Sequence, residues 1–138
     1  MAKANETADT VDLSSLDTAV KAQNDGIDVE IKGIDGKTPI GFSIKVAGPD
    51  SDRQRKAIDD LTDEYLDRED ASATTAAELD RRGLHVLAKS IISWTPIKLD
   101  GEDLECSEQN AIRLFTRFRF IREQVERKAL RRSAFTKG

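Results

Sequence analysis

The chain has 138 residues, of which 5% are aromatic and 35% charged, so it supports one domain with a modest, mostly aliphatic core. A single cysteine, Cys106, excludes an internal disulfide framework and fits a reducing compartment. The sequence has no apolar run long enough for a membrane span or a signal peptide, so a soluble, unexported protein without membrane contacts is expected. The net charge of −4 is unevenly spread: residues 1–112 carry 13 Lys/Arg and 24 Asp/Glu, a net of −11, and residues 113–138 carry 9 and 2, a net of +7. Such a split calls either for a partner on the basic end or for a basic helix lying against the acidic body.

Residues 1–23 are small and polar and read as a flexible N-terminal arm, in which Leu13, Leu16 and Val20 fall at the spacing of a short helix. The domain proper is expected over 24–138. Ile27, Val29 and Ile31 alternate with Asp28, Glu30 and Lys32, the period of a half-buried strand. Asp35-Gly36 supplies a turn, and Ile40, Phe42, Ile44 and Val46 continue the alternation, giving a β-hairpin with one apolar face. Gly48-Pro49 ends it. A lone hairpin is marginal in water and needs helices or further strands over its apolar face.

Ser51 and Gln54 form a capping-box spacing that opens a helix ending near Asp70, with Ile58, Leu61, Tyr65 and Leu66 as its apolar stripe and an acidic opposite side. Thr75 and Glu78 repeat the spacing and open a second helix through Leu79, Leu84, Leu87, Ala88 and Ile91, ended by Trp94-Thr95-Pro96. Gly83 either weakens this helix locally or permits close backbone packing. Trp94 is expected to be mainly core. Ile97 and Leu99 form a short extended piece before an Asp100-Gly101 turn, with Leu104 on the return. Ser107 caps a last helix whose buried stripe is Ile112, Phe115, Phe118 (or the neighbouring Leu114 and Ile121) and Val125. The tail from Arg131 frays, leaving Phe135 exposed. The expected fold is α+β: an N-terminal antiparallel β-hairpin or small sheet packed against three α-helices.

No catalytic constellation is present. His85 is the only histidine and sits mid-helix, and one histidine with one cysteine makes no zinc site without carboxylates. The carboxylates Asp59, Asp60, Asp63, Glu64 and Asp67 have the spacing to hold a hard cation, but a solvated helix face accounts for them. No phosphate-cradling glycine loop occurs, because Gly33, Gly36 and Gly41 belong to the hairpin. No cofactor and no metal are therefore expected, and an enzyme is the class the residues support least. The basic last helix could meet phosphates, with Phe118 and Phe120 stacking on bases. Glu123 and Glu126 interrupt that patch, and a core needs at least one of the phenylalanines. Contact with an acidic protein surface fits better.

Two segments carry a family resemblance. The first is Thr38-Pro39-Ile40-Gly41-Phe42-Ser43-Ile44-Lys45-Val46-Ala47-Gly48-Pro49-Asp50-Ser51 running into Asp52-Arg53-Gln54. The second is Ile91-Ile92-Ser93-Trp94, Leu99-Asp100-Gly101-Glu102 and Ser107-Glu108-Gln109-Asn110-Ala111, closed by Arg131-Arg132-Ser133-Ala134-Phe135. Together, over roughly residues 25–135, they resemble the tail assembly chaperones of long-tailed bacteriophages. The family often has glycine before the tryptophan, where this chain has Ser93. The carboxy-terminal extension that many members gain by ribosomal frameshifting is not visible in this chain. The resemblance implies a non-catalytic protein that binds the long helical tape measure protein and keeps it soluble while tube subunits are recruited, the tail tube protein being a second candidate partner. It implies action in the cytoplasm of the infected host cell and departure before the virion is mature. Candidate binding residues, chosen as exposed positions on the last helix and tail, are Phe120, Arg127, Arg131 and Phe135. The alternatives are a virion structural or connector protein that stays in the particle, and a small nucleic-acid-binding regulator using the basic helix.

Overall fold

The computed structural model describes residues 10–68 and 74–136. The alternating runs pair as expected: β1 (Ile27–Lys32) and β2 (Pro39–Val46) form an antiparallel hairpin in the register Ile27↔Val46, Val29↔Ile44 and Lys32↔Pro39. Val29, Ile31, Phe42, Ile44 and Val46 are buried, which puts them on the core side of the pleat. The Asp35 carboxylate accepts hydrogen bonds from the Lys37 and Thr38 amides, and Gly36 takes a φ of 74°, so the turn chemistry is local.

The helix α2 (Asp52–Leu66) starts at Ser51, whose hydroxyl accepts from the Gln54 amide. Its buried face differs from the expected stripe. Gln54, Ala57 and Leu61 are buried, whereas Ile58 and Leu66 are exposed. Leu61 is common to both faces, and Gln54 joins the buried one with its side-chain amide donating to the carbonyls of Ala47 and Ala129. A stripe drawn from apolar residues alone misses a buried glutamine with hydrogen-bond partners. The helix ends at Leu66, and the expected end at Asp70 lies outside the described residues.

The helix α3 (Ala76–Ser90) is capped by Thr75, which accepts from the Glu78 amide. It stops earlier than expected, and Ile91–Trp94 is a strand, β3, on the far edge of β2, giving a three-stranded antiparallel sheet of order β1-β2-β3. Ile91 pairs with Val46 and Trp94 with Ile44, so Ile91 is buried from the sheet and not from a helix stripe. Two consecutive β-branched residues before a tryptophan favour a pleated surface once an open strand edge is at hand. Leu79 is exposed. An added Cβ at Gly83 would meet Arg122 Nη2 at 3.6 Å, an ordinary contact, so packing does not require this glycine.

The residues after Pro96 form a two-stranded hairpin of β4 (Lys98–Leu99) and β5 (Glu102–Asp103), with Asp100 and Gly101 both at positive φ, as a tight hairpin turn demands. Trp94 is half-buried and its indole N–H donates to the Leu104 carbonyl at 3.0 Å, tying this hairpin to the sheet.

The expected single last helix is two helices, α4 (Glu108–Arg117) and α5 (Arg119–Ala129), separated by Phe118 at φ −124°, ψ 84°. No proline or glycine stands at the break. Its effect is to let α4 pack on α3 while α5 lies over β1, two surfaces that one straight helix would not serve together. The apolar spacing runs on through the break, which is why the sequence reads as one helix. The tail does not fray within the described residues: Arg132–Phe135 is a 3-10 turn that inserts Phe135 into the core.

At the other terminus, a 3-10 turn (Leu13–Leu16) leads into α1 (Asp17–Asp25), past the residue 23 boundary drawn from the sequence. Gln23 is buried and bonds Asp50 twice, accepting from its amide and donating to its carboxylate. Gly26 follows at φ 82°, where a Cβ would stand 2.8 Å from the Val46 carbonyl oxygen, so no other residue fits there without displacement. Residues 1–9 of the expected arm lie outside the described residues. Five helices and two small antiparallel sheets, among the described residues, make the fold α+β.

Candidate functional site

The break at Phe118 leaves the side chains around it without complete cover. Phe118 and Phe120 are both half-buried and meet edge to face, with ring centroids 6.2 Å apart and planes at 73°. The Arg117 guanidinium lies 5.4 Å from the centre of the Phe118 ring and pairs with Asp100 at 2.7 Å, which holds the Asp100 carboxyl below its usual range. Between these rings, the start of β2 and the β4–β5 hairpin runs a groove of about 280 Å³, lined by Ile40, Phe42, Ile97, Leu99, Leu114 and Ile121 with Lys98 at its rim. Ile40 is half exposed at its mouth.

Phe120 is also a wall of a second groove, of about 350 Å³, between the β1–β2 turn and the outer side of α5. Val29, Ile34 and Gln124 line this groove, with Glu30, Lys32, Glu123, Arg127 and Lys128 around it. Gln124 fastens the two elements: its side-chain oxygen accepts from the Lys32 amide at 2.7 Å, and its nitrogen donates to the Lys32 and Phe120 carbonyls. The groove therefore has Gln124 in its lining as a bonded strut between β1 and α5.

Charge around the basic end is largely self-compensated. Arg119 pairs with Glu123, Arg122 with Asp80 and Glu126, Arg132 with Asp50, and Lys32 with Glu30. Three of the Arg117, Arg119, Arg122 and Arg132 pairs reach back to the acidic body, the arrangement that makes the charge split internally complementary. Arg113, Arg127, Lys128 and Arg131 are the remainder: among the described residues none of them has a carboxylate partner, all four are exposed, and Arg113 donates to the Asn110 side chain.

The structure thus brings Phe120 and Arg127 together on one groove. Arg131 stands beyond the helix end, at the N-cap of the closing 3-10 turn, and lines neither groove. Phe135 is a correction: it is 2% exposed and belongs to the core, because the closing turn brings its ring against the apolar cluster, with Arg132 of the same turn bonded to Asp50. The sequence missed Lys128, Ile40 and Leu99. The signal for the last two was visible, since both had been recognised as apolar, but nothing in their spacing says that cover is incomplete. Elsewhere, partial desolvation by its neighbours raises the thiol of the surface-exposed Cys106, and the Arg132 and Gln23 hydrogen bonds hold Asp50 down to about 2. Asp60 of the acidic α2 face pairs with Lys56, and among the described residues no group of three or more His, Cys, Asp or Glu side chains could hold a metal ion. No described helix is long and apolar enough to cross a membrane.

Comparison with protein-family models, curated proteins and solved structures gives no match. The functional reading therefore rests on this geometry and on the resemblance carried by the residues themselves.

Proposed function

We propose that this chain is a non-catalytic assembly chaperone of a phage tail, binding the tape measure protein and assisting assembly of the tail tube. The observation that carries the reading is the apolar groove at the α4–α5 break, where two phenylalanines, Ile40 and Leu99 remain within reach of a partner. A tape measure protein is long and helical, and before assembly its apolar stripes have no cover. Stripes of that kind aggregate. A groove of this size and lining accepts one face of an amphipathic helix. The acidic outer side of α2, on the same small domain, supplies the charge that keeps a complex soluble. The motifs around Trp94 and the β2–α2 junction support the same reading through their resemblance to the family. In this account the protein acts in the cytoplasm of the infected cell and leaves before the virion is complete, with tube subunits as the next partner to arrive.

The test is co-expression of the cognate tape measure protein with and without this chain. The expected result is a tape measure protein that is soluble only with the chain and co-purifies with it. Equal solubility without the chain would overturn the chaperone reading. Recovery of the chain from purified particles would favour a virion component instead.

A further inference from the structure

We infer that the two grooves meeting at Phe120 form one bipartite docking site whose occupant is an acidic amphipathic helix, its apolar stripe over Phe118 and Phe120 and its carboxylates on Arg127 and Lys128. The inference rests on the chaperone reading for the helical nature of the partner and adds to it the site and the chemistry that recognises it.

Three observations lead there. Phe120 is a wall of both grooves, so a ligand passing over its ring touches both. The two arms differ in kind: the arm at Leu99 and Phe118 is lined almost wholly by apolar side chains, and the arm at Gln124 ends on cations. In the second arm the other charges are already paired, Glu30 with Lys32 and Glu123 with Arg119. Gln124 has its amide bonded to the Lys32 and Phe120 backbone and is not the group left for recognition. What remains for recognition is the positive charge of Arg127 and Lys128, which have no carboxylate partner among the described residues. Their place in the last turn of α5 suits the helix dipole, and with Lys32 they outnumber the two carboxylates, Glu30 and Glu123, that line the groove. A helix with an apolar stripe and, a turn or two further along, two or more Asp or Glu side chains satisfies both arms at once.

Nucleic acid fits less well. Glu30 and Glu123 line the same groove as the two cations and oppose a phosphate chain.

The experiment uses the full chain and three fluorescent probes: a designed helical peptide with a leucine stripe flanked by glutamates, its isomer with lysines for glutamates, and a single-stranded oligothymidylate. Anisotropy is read at about 150 mM salt, where weak surface charge effects are screened. The acidic peptide is expected to bind the natural chain and the lysine isomer not to. The double charge reversal Arg127→Glu with Lys128→Glu, at two exposed positions, should weaken the acidic peptide by about tenfold or more and let the lysine isomer bind. Phe120→Ala should weaken the acidic peptide as well, with circular dichroism verifying the fold. Equal binding of the two peptides, indifference of the acidic peptide to charge reversal, or oligothymidylate binding tighter than the acidic peptide would each overturn the inference. Running the tape measure co-expression with the same charge-reversed chain separates the two levels. If natural and reversed chains rescue solubility equally, the docking site is wrong and the chaperone reading stands. If neither rescues it while the acidic peptide binds as expected, the site chemistry stands and the chaperone reading falls.

Discussion

The two ends of the three-stranded sheet are finished in different ways. At the end where β2 closes on Val46, polar groups satisfy one another. Gln23 of α1 bonds Asp50, Arg132 forks onto the same carboxylate at 2.6 and 2.9 Å, Asn24 accepts from the Asp52 amide, and Ser51 caps α2. Phe135 is sealed inside. At the end of the β1–β2 turn, near Pro39 and Lys32, the same kinds of residue are left open: Phe118 and Phe120 half-covered, Ile34 86% exposed, Arg127 and Lys128 without carboxylates. An aromatic ring beside arginines therefore has no fixed meaning. Phe135 next to Arg131 and Arg132 is a structural plug, and Phe120 next to Arg119 is surface. What separates them is cover: Phe135 sits inside the core cluster, and Phe120 lies beside the helix break, where the packing is incomplete.

The largest expected effect breaks this comparison at its closed end. Phe135→Ala should destabilise the fold by about 3–5 kcal/mol, as truncation of a fully buried phenylalanine does. Phe120→Ala should cost less than half of that, because its ring is already part-hydrated. Urea unfolding followed by Trp94 fluorescence measures both, and equal costs would dissolve the distinction between plug and surface.

A smaller effect sharpens the same point through pH. In the folded chain the Asp50 carboxyl is held down to about 2, first by the Arg132 hydrogen bonds and then by Gln23, against an ordinary value of 3.8. Its contribution is complete above that ordinary value and is lost as the pH falls toward 2. The pair is half open to water, so the contribution should stay under about 1 kcal/mol. Asp50→Asn should accordingly lower the melting temperature slightly at pH 6 and by less at pH 2, where the natural carboxyl is about half protonated. A difference undiminished at pH 2 would mean that the carboxylate is not the group holding this end.

Much of the fold was legible in the residues. The β1–β2 alternation, the Ser51, Thr75 and Ser107 caps and the Asp100-Gly101 turn all stand where local chemistry puts them. These are short-range signals, a side chain acting on its own backbone. The failures were long-range. β3 needed the open edge of β2 before Ile91 and Ile92 could leave a helix. The helix break at Phe118 serves two packing surfaces that only the assembled fold presents, and Gln54 is buried on α2 with a partner, the Ala129 carbonyl, 75 residues away. Of the candidate site, Phe120 and Arg127 were found because they lie on a strongly basic helix. Phe135 was misread because its burial depends on core residues far from it in sequence, which a tail read by itself does not display. Lys128 was passed over because the lack of a partner is a property of space, not of spacing.

The most direct measurement of the whole account is amide hydrogen exchange on this chain, free and in complex with the tape measure protein. Slower exchange on complex formation is predicted over the β1–β2 turn, the β4–β5 hairpin and residues 118–128, with little change in α1, the β2–α2 junction and the closing turn at Arg132–Phe135. Protection confined to those last segments, with the grooves around Phe120 exchanging as in the free chain, would contradict it.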